Sequence, residues 1–537
     1  MNGKEVPVLI VGAGPVGLQL ALDLGWRGIE CMVVDKAEGT PVVHPRAAGI
    51  AARTMEFYRR WGIVDQVLHA GFPLDFPMNV VYCTSLNGHL IERQDYPMLK
   101  DVLQIPNGPH NKFRQPQPIL DPLLARAARS HGSKLVYRTR LLDFEQDADG
   151  VTARVLDEAS GTESTVRARY LIGCDGLESV VREQLGIAYE GRPVLSYSVN
   201  AVFRIPEFAR YHRMGNAERY LFIGKEGTWA NMTVVDGRET WRCTVVGSEE
   251  KMDLQKLDMA AVIRRAIGRD DVPFEVLAIA PWRRSELAAR HYRAGRVFLA
   301  GDSAHAMSPT GGMGMNTGAG DAVDLGWKLE AVLRGWGGAQ LLDSYEIERR
   351  PIAMRNIKWS SGNFKNWISP GDCEQLEEDS AAGVAARAKV GRVLTESLRL
   401  EWEQEGIQLG YRYEDSPICV PDGTPAPPDT TDTYTQTARP GSRAPHAWLA
   451  DGRSTLDLFG RGFVLLRFGG ADLAVTAMEQ AAAQRGVPLT VVDIPEPAIA
   501  ALYERRLVLV RPDGHTAWRG DQLPADALAL IDRVRGA

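Results

Sequence analysis

The sequence Val8-Leu9-Ile10-Val11-Gly12-Ala13-Gly14-Pro15-Val16-Gly17 decides the fold of this chain. Its four leading apolar residues predict a short buried strand, and a helix is expected to follow as far as Trp26. The GxGxxG spacing lets the backbone turn tightly and approach a pyrophosphate, which the N–H groups of the helix N-terminus stabilise. A second apolar strand ends in Asp35, 18 residues after Gly17, where a carboxylate accepts hydrogen bonds from a ribose. The stretch therefore predicts a dinucleotide-binding βαβ unit.

A second glycine-rich stretch lies far along the chain. Gly301-Asp302-Ser303-Ala304-His305 precedes Pro309-Thr310-Gly311-Gly312-Met313-Gly314-Met315-Asn316. Residues 296–300 show a buried-strand pattern, and a helix is predicted over residues 318–335. This order of strand, loop and helix predicts a second loop that contacts the nucleotide.

Length and charge exclude several classes of protein. A chain of 537 residues exceeds what one hydrophobic core supports, so about two to four domains are expected. The 62 basic and 68 acidic residues give a net charge of −6, which argues against a nucleic-acid-binding surface. The six cysteines have no CxxC or metal-ligand spacing, so no metal site is predicted and a reducing compartment is expected. Neither a membrane span nor a signal peptide is recognisable, so a cytoplasmic location is expected.

Changes of pattern along the chain predict an interrupted domain. Residues 189–281 are rich in β-branched and aromatic residues with repeated turn residues, which favours antiparallel strands. Parallel-type strands stand before and after them. The predicted division is a nucleotide-binding domain at 1–71, 105–185 and 282–360, a β-rich substrate domain at 72–104 and 186–281, a helical segment at 361–420, a linker at 421–445 and a small α/β domain at 446–537.

A third motif, Cys174-Asp175-Gly176, stands between the two glycine-rich stretches. In this order the three motifs resemble those of the FAD-dependent aromatic hydroxylases, the single-component flavoprotein monooxygenases similar to para-hydroxybenzoate hydroxylase. The resemblance covers about residues 5–360. It identifies the chain as a member of that family.

The end of the chain carries a second resemblance. Residues 439–446, 454–460 and 509–514 are similar to the C-terminal thioredoxin-like domain of the larger members, the phenol and polyketide hydroxylases. No cysteine follows Cys419, so this domain is not expected to perform dithiol chemistry. A structural or dimer-supporting role is expected instead.

The resemblance implies both a fold and a reaction. The fold is α/β, with a Rossmann-like FAD-binding domain interrupted by the β-rich substrate domain and followed by the thioredoxin-like domain. The reaction is hydroxylation of a phenolic or polycyclic aromatic substrate with NAD(P)H and O2, through a flavin C4a-hydroperoxide. NAD(P)H is expected to dock transiently, since no second GxGxxG is present. Many relatives are dimers, so a homodimer is one expected assembly.

The resemblance also implies cofactor contacts at individual residues. Contacts to the phosphates, the adenosine ribose and the ribityl chain are implied for Gly12, Gly14, Gly17, Asp35 and Asp302. Contacts around the flavin ring are implied for Arg46, Gln117, Pro309, Gly312, Gly314, Met315 and Asn316, the last four through backbone N–H groups. A contact to adenine is implied for Leu141. Asp175 is implied in binding both flavin and NAD(P)H.

Several of these residues have a structural alternative. Asp302 would otherwise cap a helix, Asp175 would end a strand in a turn, and Leu141 would belong to the core. Arg46 and Gln117 would otherwise be solvated surface residues.

A phenol is best attacked as its phenolate, so a base or a cation is expected near the substrate ring. Arg46 and His44 are the candidate catalytic residues, although His44 alternatively is an ordinary loop histidine. Ala48 occupies the position where some phenol hydroxylases carry a histidine, which argues against a histidine base. Four residues of the β-rich domain are candidates for lining the substrate pocket: Tyr82, Tyr220, Trp229 and Arg242. The alternative is that they are ordinary core or surface residues.

Two other functions remain open on the same motifs. A flavin oxidase, dehydrogenase or Baeyer–Villiger oxygenase would use the same scaffold and differ in its products. A non-catalytic flavoprotein that sequesters an aromatic ligand would bind without NAD(P)H-dependent turnover.

Overall fold

The structure is a computed structural model that describes residues 4–40, 47–368, 370–470 and 473–537. Its strands in chain order are β1 (Lys4–Val11), β2 (Cys31–Val34), β3 (Gly49–Ile50), β4 (Val80–Cys83), β5 (Leu90–Gln94), β6 (Phe113–Arg114), β7 (Lys134–Val136), β8 (Thr139–Gln146), β9 (Val151–Asp157), β10 (Thr162–Gly173), β11 (Tyr189–Arg204), β12 (Arg219–Gly224), β13 (Gly227–Val234), β14 (Thr240–Ser248), β15 (Glu275–Ala289), β16 (Arg293–Ala294), β17 (Val297–Leu299), β18 (His305–Ala306), β19 (Phe463–Phe468), β20 (Leu489–Ile494), β21 (Leu507–Val510) and β22 (Thr516–Gly520). Its α-helices are α1 (Pro15–Trp26), α2 (Ala52–Arg60), α3 (Val64–Leu68), α4 (Gln117–Ser130), α5 (Val180–Gln184), α6 (Met259–Ile267), α7 (Met313–Leu333), α8 (Ser344–Ile368), α9 (Ala381–Trp402), α10 (Glu405–Leu409), α11 (Thr476–Gln484), α12 (Pro497–Tyr503) and α13 (Ala527–Val534).

A mainly parallel sheet forms the first domain. Its strand order is β16-β17-β10-β1-β2-β7, and β17, β10, β1, β2 and β7 run parallel. β8 and β9 extend this sheet as an antiparallel hairpin next to β10. The whole of β2 and the last four residues of β1 are buried, as expected for parallel strands covered on both faces.

The two long helices of this domain pack closely because glycines allow it. α1 begins at Pro15, whose fixed φ suits the first turn of a helix. α7 begins at Met313, earlier than the predicted start at Gly318. Gly318 is a packing position instead, since a Cβ there would lie 2.4 Å from Cγ2 of Val16 in α1.

The β-rich sheet has the strand order β18-β15-β11-β14-β13-β12-β4-β5. Its pairs are antiparallel except for β12 and β4. β15 continues to Ala289 and pairs with β18, which belongs to the second glycine-rich stretch. The sheet therefore reaches directly to that stretch, while the boundaries of the two domains stay a prediction.

The C-terminal domain has a four-stranded sheet in the order β20-β19-β21-β22. β19 and β20 are parallel, and β21 and β22 add antiparallel strands. Thr455–Leu458 form a helical turn before this sheet, and β19 begins at Phe463. With the first two sheets, this domain confirms the predicted α/β fold class with its interrupted first domain.

Buried charges join the C-terminal domain to the first domain. Arg511 donates to Glu348 of α8 at 2.6 Å and to Asp324 of α7 at 3.1 Å. Lys328 pairs with the same two carboxylates at 2.6 and 2.7 Å, and all four side chains are fully buried. Removing one member would leave an uncompensated buried charge, which is strongly destabilising.

The segment predicted as a linker is packed against the first domain. Residues 421–445 contain no helix or strand. Arg443 nevertheless binds both carboxylate oxygens of Glu56 in α2, at 2.5 and 3.1 Å, and is 1% exposed. This segment therefore fixes the position of the C-terminal domain.

None of the described helices is long and apolar enough to cross a membrane. Among the described residues there is also no group of three or more His, Cys, Asp or Glu side chains that could hold a metal ion. The six cysteines are free thiols, and five of them are buried.

Candidate cofactor and substrate site

Four neighbouring strands end at one edge of the parallel sheet. β17, β10, β1 and β2 lie side by side, and the register pairs Leu299 with Gly173, Gly173 with Val11 and Val11 with Val34. The chain continues from these four ends into the Gly301-Asp302 stretch, the Cys174-Asp175-Gly176 motif, the Gly12–Gly17 loop and Asp35, respectively. The carboxyl ends of parallel strands are where such sheets bind ligands. The fold thus brings the three motifs and Asp35 to one site.

The first glycine loop leaves the N-terminus of α1 open. Gly14 is the N-cap without a side-chain cap, and a Cβ on it would meet no atom within 4 Å. A Cβ on Gly17 would lie 2.0 Å from the carbonyl oxygen of Gly12, and one on Gly12 would lie 2.3 Å from that of Cys174. Two glycines therefore close the turn, and Gly14 leaves space for an anion before the positive end of the helix.

Asp35 borders this loop from β2. Its Oδ2 accepts a hydrogen bond from the N–H of Ala13 at 2.6 Å, and its Oδ1 accepts one from Ala37 at 2.7 Å. The N–H of Thr139 donates to the carbonyl of Asp35 at 2.8 Å, which places the start of β8 beside it. Leu141 in β8 is 4% exposed and packs in the core, so the predicted adenine contact would involve its backbone.

A buried acid of α7 holds the second glycine-rich stretch in place. Asp321 accepts from the N–H of Gly301 at 3.1 Å and from Nε of Arg349 at 2.8 Å, and Nε2 of His305 lies 2.7 Å from its Oδ2. Burial opposes ionisation, but the charges and hydrogen bonds of His305 and Arg349 lower the pKa of Asp321 to about 2. The ionised Asp321 fixes the loop, while Asp302 projects from it with an exposed side chain.

The N-terminus of α7 is the second open helix end. Gly312 is its N-cap with φ +70°, no side chain caps the helix, and a Cβ on Gly312 would meet no atom within 4 Å. Pro309 and Gly312 are exposed, and Gly314 is half-buried. Helix N–H groups at such an end stabilise a partly negative oxygen. The predicted pyrimidine contact through backbone N–H groups has the space and the donors that it requires.

The side chain of Asn316 has a positioning role. Its Oδ1 accepts from the N–H of Ala51 and from Oγ1 of Thr54, both at 2.8 Å. Its Nδ2 donates to the carbonyls of Gly49 at 3.1 Å and Gly312 at 2.7 Å. Asn316 therefore ties α2 and the residues before it to the start of α7, and Met315 next to it is buried.

Asp175 is engaged in its own turn. Its Oδ1 accepts from Oγ of Ser179 at 2.6 Å and its Oδ2 accepts from the N–H of Val181 at 3.2 Å. Burial raises the pKa of Asp175. These contacts match the structural alternative for this residue, and its link to flavin and NAD(P)H stays a prediction.

Gln117 begins α4 and is 5% exposed, so it is not a solvated surface residue. Its N–H donates to the carbonyl of Ala47 at 3.0 Å, and its Nε2 donates to Asp121 at 2.9 Å. Burial raises the pKa of Asp121 to about 7, and Oδ1 of Asp121 has no hydrogen-bond partner among the described residues. Gln117 thus lies beside the loop that follows the predicted residues His44 and Arg46, which are outside the described residues.

A buried arginine connects the β-rich sheet to the second glycine-rich stretch. Arg284 in β15 is 4% exposed, and it donates to Oγ of Ser308 at 3.0 Å and to Oγ of Ser196 at 2.9 Å. Its guanidinium lies 3.7 Å from the ring centroid of Phe364. Among the described residues its hydrogen-bond partners are these two hydroxyl groups and no carboxylate pairs with it, and burial lowers the pKa of Arg284 to about 9. A desolvated cation of the β-rich sheet thus contacts Ser308, the residue that precedes Pro309.

The helical segment after residue 360 also contacts this stretch. Glu401 at the end of α9 accepts from the N–H of Gly311 at 3.3 Å, and Nε2 of Gln404 donates to the carbonyl of Gly311 at 3.1 Å. Glu401 also accepts from Nε1 of Trp367 and pairs with Arg219 at 3.2 Å. The segment predicted only as helical therefore contacts the second glycine-rich stretch at Gly311.

The four pocket candidates of the β-rich domain lie in different surroundings. Tyr82 and Tyr220 are fully buried and donate their hydroxyl groups to Gln94 and to the carbonyl of Gly215, so they are core residues. Trp229 stacks under Arg265, whose guanidinium is 3.9 Å from the ring centroid. Burial, with the neighbouring charges of two arginines, lowers the pKa of Arg242 to about 10.

Sequence reasoning missed the residues that position the site from a distance. Asp321, Arg349, Arg284 and Glu401 are all buried, and each comes from a different helix or strand. The only usable signal was a charged residue inside an otherwise apolar pattern, as at Asp321 in α7. Nothing in the local sequence marks Arg284 or Glu401, because their partners lie far away in the chain.

Comparison with known proteins gives matches over nearly the whole chain. The FAD binding domain family matches residues 5–360, and the aromatic-ring hydroxylase C-terminal family matches residues 437–536. Chromopyrrolic acid-soaked RebC with bound 7-carboxy-K252c is 42% identical, with a TM-score of 0.92 and coverage of 99% of both chains. Aklavinone-11 hydroxylase, solved in a ternary complex with FAD and aklavinone, is 32% identical, with a TM-score of 0.84 and the same coverage. Tetracenomycin A2 monooxygenase-dioxygenase from Streptomyces glaucescens is 34% identical over 98% of this chain and 95% of its own length.

The described residues fit FAD. Two helix N-termini without side-chain caps, at Gly14 and Gly312, face open space, as the pyrophosphate and the pyrimidine ring of the flavin require. Asp35 and Asp302 follow β2 and β17, the two outer strands of the four that end at this edge, where hydroxyl groups of the ribose and ribityl chain would bind. The geometry of the site and the two family matches lead to one conclusion: this chain belongs to the FAD-dependent aromatic-ring hydroxylases.

Proposed function

We propose that the protein uses NAD(P)H and O2 to hydroxylate a phenolic or polycyclic aromatic compound at its FAD site. The observation that carries the proposal is the contact between Arg284 of the β-rich sheet and Ser308, one residue before Pro309. It joins the substrate side of the molecule to the loop that is expected to hold the flavin ring. Relatives solved with 7-carboxy-K252c or with aklavinone support an aromatic substrate.

The chain contributes binding and orientation. The open N-termini of α1 and α7 bind the pyrophosphate and the pyrimidine oxygen, and Asp35 and Asp302 accept hydrogen bonds from the sugar hydroxyls. Bound FAD supplies the redox chemistry that activates molecular oxygen. Asp321 keeps the α7 end at a fixed distance from the sheet, because its carboxylate holds Gly301 and His305 together.

Arg284 is the side chain that we assign to the substrate. Its guanidinium forms two hydrogen bonds with hydroxyl groups and no ion pair with a described carboxylate, so it retains attraction for an anionic oxygen. A phenol oxygen placed beside this cation has a lower pKa, because the cation favours the phenolate. The phenolate is the form of the ring that is most easily hydroxylated.

The helical segment limits the entry of water. Glu401 and Gln404 bind the backbone of Gly311, and Nε1 of Trp367 donates to Glu401. Glu401 is 1% exposed, and burial raises its pKa. A helical segment packed against the loop in this way keeps the reacting oxygen species away from bulk water.

The test is turnover of the FAD-loaded protein under labelled oxygen. Phenols and polycyclic aromatics, chromopyrrolic acid and aklavinone among them, are offered with NADPH or NADH in an atmosphere of 18O2. Incorporation of one 18O atom into a ring hydroxyl for each NAD(P)H consumed is the expected result. Oxidation of NAD(P)H with peroxide as the only oxygen product would refute the hydroxylase assignment.

The two alternative functions give different products in the same experiment. A Baeyer–Villiger oxygenase would insert 18O into an ester or lactone, and an oxidase would leave the substrate without 18O. A sequestering flavoprotein would bind the aromatic compound and return it unchanged. The choice between NADH and NADPH follows from the ratio of kcat/KM for the two donors.

A homodimer and a cytoplasmic location complete the proposal. Free buried thiols support a reducing compartment. Light scattering on the FAD-loaded protein measures the oligomeric state, and a mass of one chain across the micromolar range would exclude the homodimer.

A further inference from the structure

A cavity of about 340 Å³ lies between the first domain and the C-terminal domain. One wall includes Trp26 at the end of α1 and residues 53, 56, 59 and 60 of α2, and the other includes residues 456–459, 461 and 462. The cavity is separate from the loops assigned to FAD, since none of the residues implied in cofactor contacts lines it. The known reaction gives it no role.

Arginines dominate the charged groups around this cavity. Arg53, Arg59, Arg60 and Arg461 line it, and the lining carboxylates are Glu56 and Asp457. Both carboxylates are already neutralised. Glu56 is paired with Arg53 at 2.6 Å and with Arg443, and Asp457 binds Arg59 through two hydrogen bonds of 2.6 and 2.7 Å.

The other two arginines have no carboxylate partner among the described residues. Arg60 has one weak hydrogen bond, from Nη2 to the carbonyl of Asp513 at 3.4 Å, while its Nε and Nη1 are buried without a partner. Arg461 donates to the carbonyl of Trp26, and its guanidinium lies 3.8 Å from the ring centroid of that residue. Burial lowers the pKa of both side chains, to about 10 for Arg60.

The guanidinium of Arg60, with two nitrogen atoms buried and unpartnered, and the more exposed guanidinium of Arg461 line the same cavity and favour an anion with several oxygens. A phosphate group accepts paired hydrogen bonds from arginine and would provide partners for the nitrogen atoms of Arg60 that are buried without one. The cavity is larger than a phosphate ion, and the apolar parts of Trp26, Leu456 and Phe459 contribute to its lining. We propose that this cavity binds a small phosphate monoester, with Arg60 and Arg461 as the residues that hold its phosphate group.

Such a ligand would connect the two domains. Arg60 ends α2, and Arg461 precedes β19 of the C-terminal domain. The first turn of α2 is bound to Asn316 at the start of α7. The ligand therefore stabilises the docking of the C-terminal domain at the far end of the helix that supports the flavin loop, and it takes no part in hydroxylation.

The experiment uses the full-length FAD-loaded protein in a buffer without phosphate. Thermal unfolding is followed while inorganic phosphate or phenyl phosphate is added, and ionic strength is held constant with sodium chloride. The expected result is a saturable increase in Tm, at a lower concentration for phenyl phosphate than for phosphate. A Tm that depends on ionic strength alone would overturn the proposal.

Variants identify the residues. Arg60→Gln and Arg461→Gln are expected to weaken phenyl phosphate binding at least tenfold in calorimetry, whereas Arg505→Gln, on the surface of the same domain, leaves it unchanged. Arg60→Lys serves if the glutamine variant does not fold, and it is expected to weaken binding less, because charge remains and the paired hydrogen bonds are lost. Unchanged affinity in both folded Arg60 and Arg461 variants would overturn the assignment. Turnover without phosphate is expected to be unchanged, which separates this proposal from the hydroxylase proposal.

Discussion

The cofactor side and the substrate side of the site are built in different ways. On the cofactor side, recognition depends on backbone: glycines at strand ends and two uncapped helix N-termini. On the proposed substrate side the corresponding groups are buried side chains, such as Arg284 and Glu401, that come from separate segments. The difference teaches that one scaffold can keep its cofactor geometry while the substrate changes, because the two sets of contacts share few residues.

The largest effect is expected for Asp321→Asn. It tests whether the cofactor side relies on backbone alone, because the side chain of Asp321 holds the second glycine-rich stretch in place. Its loss leaves Arg349 and His305 buried without their carboxylate, and breaking a buried pair costs about 3–5 kcal/mol. Urea unfolding measures the change, and Asp302→Asn is the control because Asp302 is exposed. Equal stability of the Asp321 variant and the wild type would show that backbone alone holds the loop.

A second side chain on the cofactor side makes stability depend on pH. Burial raises the pKa of Asp121 to about 7 from its ordinary 3.8, so the folded state prefers the protonated acid. Its contribution to stability is therefore complete below pH 4 and decreases as the pH rises to about 7. Asp121→Asn has no ionisable group and avoids this decrease in stability. Above pH 7 it is expected to stabilise the protein by up to about 4 kcal/mol, because each pKa unit corresponds to about 1.36 kcal/mol.

Urea unfolding of both proteins at a series of pH values measures the effect. The stability difference between Asp121→Asn and the wild type is expected to grow from pH 4 to pH 7 and then to stay constant. A difference that does not change with pH would show that Asp121 is not the titrating group.

Two glycine variants separate folding from binding on the cofactor side. Gly17→Ala places a Cβ 2.0 Å from the carbonyl oxygen of Gly12 and is expected to destabilise the FAD-free protein by about 1–3 kcal/mol. Gly14→Ala has room in the structure and is expected to weaken FAD binding about tenfold without loss of stability. Calorimetry and FAD titration measure the two effects. Full FAD affinity in Gly14→Ala would contradict a pyrophosphate beside that residue.

Arg284→Gln tests the substrate side. The variant is expected to lower kcat/KM about 10- to 100-fold, the magnitude of a lost charged hydrogen bond, with unchanged FAD content. Arg283→Gln is the matched control, because Arg283 is the next residue along the chain and its side chain is 40% exposed. Arg284→Lys is expected to restore part of the loss. A normal kcat/KM in Arg284→Gln would remove this residue from the substrate site.

The same division explains what the sequence revealed. The glycine loop, Asp35 and the three motifs could be predicted because strand, turn and helix follow one another within a few residues. Arg284 and Glu401 could not, because a buried charge is recognisable only beside its partners, which are distant in sequence. The cofactor contact predicted for the backbone of Asn316 stays a prediction, and only the structure shows that its side chain is bound to protein atoms.

The helical segment and the linker show the limit of composition. Residues 421–445 look like a tether because they are rich in proline and polar residues, yet Arg443 fixes them to Glu56. The helical segment had no motif, and its contact with Gly311 appears only in three dimensions. Both contacts depend on single charged side chains, which a local sequence pattern predicts to be surface residues.

The shared charges of Arg511, Lys328, Asp324 and Glu348 have an evolutionary consequence. Recombination that replaced the C-terminal domain with that of a relative lacking this arginine would leave two acids of α7 and α8 with a single lysine. Such hybrids would fold stably only if the charged residues of both domains changed together. The first and the C-terminal domains therefore depend on each other for stability, and attempts to graft a different C-terminal domain onto this hydroxylase should keep residue 511 as arginine.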